Sequence, residues 1–286
     1  MVEQSMTLSI HGHTRESDGA GDPSILVAKA AEAVLDFFGV SDHESVAAVP
    51  SIYDAVDRYN QAHGTSIQAV AAFEVNIGKP GDQGDIVFAK PGPLDPAFLA
   101  WGQGVIDRRR ETTPEEAITE GVLVHGAIAL LVHPELWLSQ SFSLARIEQM
   151  VGNLSPQVVK HVVLEVGNWA GNIFLFFNTK REERVEALAY KLGLARLAST
   201  DFHAAWMIPM WSTQYKAIEA TPQSFYQAIE NRQTEPGEPV ALSLVLYARL
   251  AYALFRASLR AYILNPIKRS LDTGNQAQEI GSVLPY

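Results

Sequence analysis

The sequence predicts an α/β fold, a closed or nearly closed barrel of seven strands with surrounding helices and a C-terminal helical extension. Three observations lead there. Short β-rich runs alternate with helix-like stretches, which implies βαβ units and a parallel sheet. Five of the eight histidines stand where an apolar run has just ended, and barrels of this class carry their chemistry at the C-terminal ends of the strands. The length of 286 residues, 47% of them hydrophobic, suffices for one large core.

The β-rich runs are Met6–Ile10, Phe37–Val40, Ile67–Phe73, Asp85–Ala89, Ala127–Val132, Val162–Leu164 and Ala195–Ser199. The helix-like stretches between most of them are Pro23–Asp36, Val46–His63, Pro114–Val124, Leu144–Gly152 and Lys180–Leu192. One helix start is strongly marked: Thr113-Pro114-Glu115-Glu116 offers an N-cap, a proline at the first position and acids in the first turn. The stretch Gly78–Pro96, rich in Gly, Pro and Asp, reads as loops around the fourth strand. Residues 1–235 are expected to form the barrel, and residues 236–286 a helical extension and tail.

In that extension, Val240–Leu264 is mostly apolar and long enough in principle to cross a bilayer. Arg249, Arg256 and Arg260 fall on one helical face, and three arginines at bilayer depth would be costly. The expectation is an amphipathic helix packed on the barrel or on a second copy, with no membrane span. A formal charge of −10 and a pI near 5.3 argue against an extended nucleic-acid surface, though not against a small nucleotide. There is no cysteine, which excludes disulfides and thiolate metal sites. The first residues lack a basic and apolar leader, so a cytoplasmic location is the default expectation.

Histidine and carboxylate gathered at strand ends are the usual donors for a borderline divalent cation. The candidates are His11, His13, His43, Glu74, His133 and His203, with Asp18 and Asp201 beside them. Each alone has an ordinary explanation: a polar strand end, a turn, a buried acid. The order of several such motifs carries more. His11-Gly12-His13-Thr14-Arg15-Glu16-Ser17-Asp18-Gly19 resembles the H-x-H-T-x-x-S-D-G opening of the PHP (polymerase and histidinol phosphatase) family. Gly39-Val40-Ser41-Asp42-His43, Phe73-Glu74-Val75, Val132-His133-Pro134 and Ser199-Thr200-Asp201-Phe202-His203 resemble further segments of that family, in the same order. The likeness covers roughly residues 6–235.

The resemblance implies a distorted seven-stranded (β/α)7 barrel holding two or three divalent ions, Zn, Mn or Fe. By it, His11, His13, Glu74 and Asp201 would hold one ion. Glu74 would bridge to a second, shared with His133, and Asp18, His43 and His203 would hold a third. Asp42 would orient His43, and Glu165 with Asn168 would line the mouth. The family usually supplies one more histidine just after the fourth strand, where this chain has Lys90-Pro91-Gly92. The second position therefore lacks a ligand, to be supplied by water or another side chain.

The implied activity is metal-dependent hydrolysis of a small phosphomonoester: a nucleotide, histidinol phosphate or another phosphorylated metabolite. Asp201 and His203 are the candidate proton-transfer residues. Arg15 is the candidate phosphate contact, by its place in the first loop and the planar fork it offers. The tract Arg108-Arg109-Arg110 reads as a solvated patch flanking a helix. Two other readings stay open: exonuclease-like attack on oligonucleotide ends, and a non-catalytic, metal-stabilised domain that recruits a partner through the C-terminal helix. A homo-oligomer through that helix is a further expectation.

Overall fold

A computed structural model describes residues 2–136, 141–168, 180–240 and Tyr252. The chain divides into two compact units, Met1–Ala241 and Leu242–Tyr286. The predicted Val240–Leu264 helix lies, apart from Val240 and Tyr252, outside the described residues.

The strands of the first unit are β1 (Gln4–Ser9), β2 (Phe37–Val40), β3 (Gln68–Ile77), β4 (Gly84–Pro91), β5 (Ile128–Leu131), β6 (Val162–Asn168), β7 (Ala195–Ser199), β8 (Thr213–Ala217) and β9 (Glu235–Pro236). They form one sheet in the order β7-β6-β5-β4-β3-β2-β1-β8-β9. All seven predicted strands are present, but the sheet has nine. Its last two, β8 and β9, run antiparallel to their neighbours beyond β1. The sheet nearly closes on itself: Thr213 Oγ1 on β8 accepts from Ala198 N (2.8 Å) and donates to Ala198 O (2.9 Å) on β7.

Among the seven predicted strands, the expectation of a parallel sheet fails at one. Pairs β1–β2, β2–β3, β5–β6 and β6–β7 are parallel, but β4 is antiparallel to both β3 and β5. The reason is chain length. Only residues 78–83 separate β3 from β4, and a parallel connection needs a crossover of about a dozen residues or more. Gly78 and Gly81, both at positive φ, shape the short link, which makes a hairpin.

Alternation along the strands divides the side chains between two layers. Met6, Leu8 and Ile10 of the first strand run share one cluster with Val70 and Ala72, Val87 and Ala89, Ile128 and Leu130, Val163 and Leu197. The opposite parity, including Phe73, Val75, Phe88, Leu131 and Leu164, packs against Phe98, Trp101, Ile118, Ile147 and Val185 of the surrounding helices. Each fully buried Phe or Leu of these layers stabilises the fold by about 1.5–3 kcal/mol. The first parity continues into Glu74 on β3, Glu165 on β6 and Asp85 on β4. Those three buried carboxylates thus face the same side as the inner cluster.

The predicted helices form at Pro23–Glu32, Val49–His63, Pro114–His125, Leu144–Asn153 and Arg181–Leu192. The start at Thr113 is a full capping box, with Thr113 Oγ1 accepting from Glu116 N (3.2 Å) and Glu116 Oε2 accepting from Thr113 N (2.9 Å). Helices at Pro96–Asp107 and Pro222–Glu230 were not anticipated. Among the described residues, no helix is long and apolar enough to cross a membrane.

Candidate metal centre

Eight sequence-predicted residues, His11, His13, Asp18, His43, Glu74, His133, Asp201 and His203, meet in one cluster, buried except for His43 and in part Asp18. Glu74 stands on β3 itself, and the others come from the four loops that follow β1, β2, β5 and β7. Three features of local backbone bring them together. Gly12 lies against Phe202, and a Cβ on Gly12 would stand 2.2 Å from that ring, so only glycine lets the two strand ends approach. His13 N then donates to Phe202 O (2.7 Å), and Ser41 N to Gly12 O (2.7 Å). Finally, His133 (φ 33°) and Asp201 (φ 51°) adopt left-handed backbone, a strained choice for such side chains that concentrates at functional sites. The chain is therefore not extended between Asp201 and His203. They meet through a turn, with His203 Nδ1 3.0 Å from Asp201 O.

Asp42 does not act on His43 as expected. Its carboxylate accepts from Thr14 N (2.7 Å), Thr14 Oγ1 (2.7 Å) and Ser17 Oγ (2.6 Å). These bonds explain why Thr14 and Ser17 stand where they do: they tie the first loop to β2 and thereby place Asp18. His43 is positioned through the backbone, paired in a bridge with Glu74.

Glu74 stands at the middle. Its Oε2 lies 3.4 Å from His11 Nε2, 3.5 Å from His13 Nε2 and 3.3 Å from His43 Nδ1, while Oε1 faces His133 Nε2 at 3.2 Å. Asp201 Oδ1 approaches His13 Nε2 (3.1 Å) and His11 Nε2 (3.6 Å). Asp18 Oδ2 approaches His203 Nε2 (3.2 Å) and His43 Nε2 (3.9 Å). Donor atoms within 4.8 Å of one another form four groups: His13, Asp18, His43 and His203; His11, His13 and Glu74; His11, His133 and Asp201; and Glu74, Asp85 and His133.

Asp85 answers the missing histidine. Because β4 runs backwards, its first residues, not its last, reach the mouth. Asp85 there is buried, with Oδ2 4.0 Å from His133 Nε2. Lys90, which the sequence placed near the second position, belongs to the other end of β4 and pairs with Asp95 at 2.5 Å.

Glu165 and Asn168 complete the surroundings. Glu165 Oε1 accepts from His11 Nδ1 (2.8 Å) and from Ser199 Oγ; Oε2 accepts from His133 N (2.6 Å) and Asn168 Nδ2 (3.0 Å). With Nδ1 engaged by Glu165, Nε2 is the nitrogen that His11 turns toward the cluster, the orientation in which a ligating imidazole is held. Asn168 Nδ2 also reaches Asp201 Oδ2 (3.3 Å), and Ser141 Oγ holds His133 Nδ1 (2.7 Å).

Arg15 does not join the cluster. Its half-exposed guanidinium pairs with Asp22 (3.0 Å) and Ala20 O (3.3 Å). The arginine tract is not merely solvated: Arg109 Nε lies 2.7 Å from Glu44 Oε1, and Arg110 binds Asn76, Gln83 and Gly78 O of the hairpin. His63, His125 and His161 lie elsewhere, bonded to Tyr59 O, stacked on Trp101 and paired with Glu230, respectively.

The electrostatics call for a cation. Burial alone would lower His203 and His43. Asp18 and Asp201 nevertheless raise His203 to about 10, and Glu74, Asp18 and Asp85 raise His43 to about 9. Burial would raise Glu74 and Asp201, yet the surrounding imidazoles hold both well below the ordinary carboxylate range. Asp85 goes the other way, pushed up to about 6 by burial and by Glu74 beside it. Three buried polar atoms, His11 Nε2, His13 Nδ1 and Glu74 Oε2, have no hydrogen-bond partner. Unpaired polar atoms are costly in a protein interior, and divalent ions would satisfy two of these three through atoms already aimed at one point. The donor set fits the metals that the resemblance implies.

By sequence, the chain matches no known family profile and no curated protein. Its fold is shared with solved structures. One is a two-domain protein from Bacteroides vulgatus containing a predicted PHP-like metal-dependent phosphoesterase, at TM-score 0.56 and 15% identity, over 88% of this chain and 70% of that one. An amidohydrolase from Chromobacterium violaceum, solved with bound sulfate and no metal, matches at TM-score 0.53 and 14% identity, over 80% of this chain and 97% of that one. PsfC from Pseudomonas syringae matches at TM-score 0.53 and 14% identity, over 89% and 99%. What these likenesses show is the fold, an α/β barrel shared with those structures, and in this chain it carries a histidine–carboxylate cluster at its mouth.

Proposed function

We propose that the chain is a member of the PHP family and a metal-dependent phosphoesterase that hydrolyses a small phosphomonoester. One observation carries the reading. Glu74 lies between two sets of imidazoles, with Oε2 toward His11, His13 and His43 and Oε1 toward His133, the disposition of a carboxylate shared by two cations. His11, His13, Glu74 and Asp201 would hold one ion; Glu74, His133 and Asp85 a second; Asp18, His43 and His203 a third. When bound, such ions neutralise phosphoryl oxygens and lower the pKa of water.

The protein's own groups do the rest. Glu165, Asn168, Ser141 and Asp42 fix the ligands so that little reorganisation accompanies reaction. His43, with a side chain 42% exposed, is the solvent-facing member of the cluster and the natural point of substrate entry. Protonated His203, held by Asp18, can hold a proton for the departing oxygen whenever it is not occupied as a ligand, whereas the imidazoles around Asp201 keep that carboxylate ionised and in the role of a ligand. The acidic composition favours a compact substrate over a polynucleotide. Phosphate release should be screened across nucleotides, histidinol phosphate and sugar phosphates, with Mn²⁺ or Zn²⁺ added and elemental analysis in parallel. Activity independent of metal, or a chain that retains no metal, would end this reading.

A further inference from the structure

The three cation positions are not chemically alike. Around Asp18, three imidazoles (His13, His43, His203) accompany one carboxylate. The Glu74–Asp85–His133 group reverses the balance, with two carboxylates and one imidazole, exposed by 0%, 6% and 3%. Two buried carboxylates in one small space repel each other, and a cation between them removes that cost. Carboxylate oxygen favours harder ions such as Mn²⁺, whereas imidazole suits Zn²⁺.

The second carboxylate is held by a relay of hydrogen bonds. Arg110 Nη1 donates to Asn76 Oδ1 (2.9 Å), Gln83 Oε1 (2.7 Å) and Gly78 O (3.3 Å), clasping the β3–β4 hairpin from both sides. Because arginine can only donate, the oxygen of the Asn76 amide must face it. The amide nitrogen is thereby directed to Asp85 Oδ1 (2.6 Å), opposite Asn76 in the strand register. That leaves Oδ2 as the oxygen nearer His133 Nε2.

We propose that the Glu74–Asp85–His133 position is a separate, oxygen-rich subsite whose preference for Mn²⁺ relative to Zn²⁺ is higher than at the imidazole-rich position around Asp18, and that Asn76 and Arg110 set this preference by orienting Asp85. The inference rests on the reading of the cluster as a metal centre. Asn76 and Arg110 touch neither substrate nor ion; they are positioning residues acting through Asp85.

The test uses the full chain, stripped by chelation and reloaded from a mixture with Mn²⁺ in large excess over Zn²⁺, the zinc supply kept sufficient to fill every position, so that the bias of the oxygen-rich subsite is read against the general zinc preference. Bound metals are then counted by elemental analysis, and bound Mn²⁺ is observed by electron paramagnetic resonance. The wild type is expected to retain one Mn²⁺ per chain beside zinc. Asp85→His should exchange that Mn²⁺ for Zn²⁺ with the total unchanged. Asn76→Leu and Arg110→Met should weaken Mn²⁺ binding by roughly 10–100-fold, as loss of a ligand's hydrogen-bonded support generally does, with the zinc count preserved. Arg110→Lys, which keeps the charge but not the fork, should fall between wild type and Arg110→Met. A general folding defect would lower both metals together, and circular dichroism would register it in the same samples. Zinc at every position of the wild type, or an Mn:Zn ratio unmoved by Asp85→His, overturns the inference while leaving the metal centre intact. Retention of no metal overturns both.

Discussion

Replacing Glu165 by glutamine changes one atom in the buried surroundings of His11, and the hydrogen-bond pattern says why it should matter. Each carboxylate oxygen serves two donors: Oε1 takes His11 Nδ1–H and Ser199 Oγ–H, and Oε2 takes His133 N–H and Asn168 Nδ2–H. An amide has only one oxygen. If its NH2 replaces Oε2, it confronts the His133 backbone N–H, which cannot accept, and the Asn168 amide, whose flip would turn an oxygen onto Asp201 Oδ2. If its NH2 replaces Oε1, Ser199 can rotate, but His11 must give up its Nδ1 proton and carry it on Nε2. That proton would then point at Glu74 and Asp201, where a bare nitrogen is needed. The first orientation leaves buried donors unsatisfied, at about 1–3 kcal/mol. The second disables a ligand. Metal affinity should therefore fall by roughly 10–100-fold, equivalent to about 1.4–2.7 kcal/mol. Isothermal titration of the chelated protein with Zn²⁺ or Mn²⁺, beside the wild type, measures the loss. Wild-type affinity and stoichiometry in Glu165→Gln would refute the argument that this carboxylate fixes the His11 tautomer.

His13→Ala and Asp201→Ala should each abolish phosphate release and lower bound metal, because both side chains lie among the converging donors; full activity in either variant would exclude a metal-centred reaction. Arg15→Ala should leave metal content intact and raise KM if Arg15 exchanges Asp22 for substrate phosphate on binding; an unchanged KM would leave it as the surface ion pair seen here. The metal-free protein should lose stability on the alkaline side. His43 at about 9 and His203 at about 10 lie above the unfolded value near 6.5, so their contribution is complete below pH 6.5 and disappears as pH rises through 9–10. With metal bound the trend should reverse between pH 6 and 8, since the ions displace those protons. Melting curves with and without chelator check both signs, and a metal-free Tm that is flat from pH 6.5 to 10 would contradict the charge assignment.

Most of the barrel and the eight residues that converge in the cluster could be read from the sequence, because both depend on local signals. Short apolar runs, followed within a few residues by His, Asp or Glu, register in the chain itself whatever the distant fold does. What the sequence concealed was non-local. Thr213–Ala217 alternates, but over only five residues of little apolar character, and it becomes a strand by pairing with β1 from across the chain. Glu165 was visible as a residue but not as an acceptor, since its four donors come from positions 11, 133, 168 and 199.

The misplacement of the second position has a different and more general cause. Its error was one of direction. With every strand taken as parallel, the mouth-facing end of β4 is Lys90-Pro91-Gly92, and no donor is there. The predicted runs, Ile67–Phe73 and Asp85–Ala89, left eleven residues between them and hid the reversal; the observed strands are longer, and the six residues between Ile77 and Gly84 cannot span a crossover, so β4 must reverse. A reversed strand brings its first residues to the mouth, and the parity of Asp85 with Val87 and Ala89 then turns its carboxylate inward. The link length fixes which end of the strand faces the cations, and the alternation fixes which side. Together they make Asp85, opposite Asn76 and beside Glu74, the residue on β4 available to the centre.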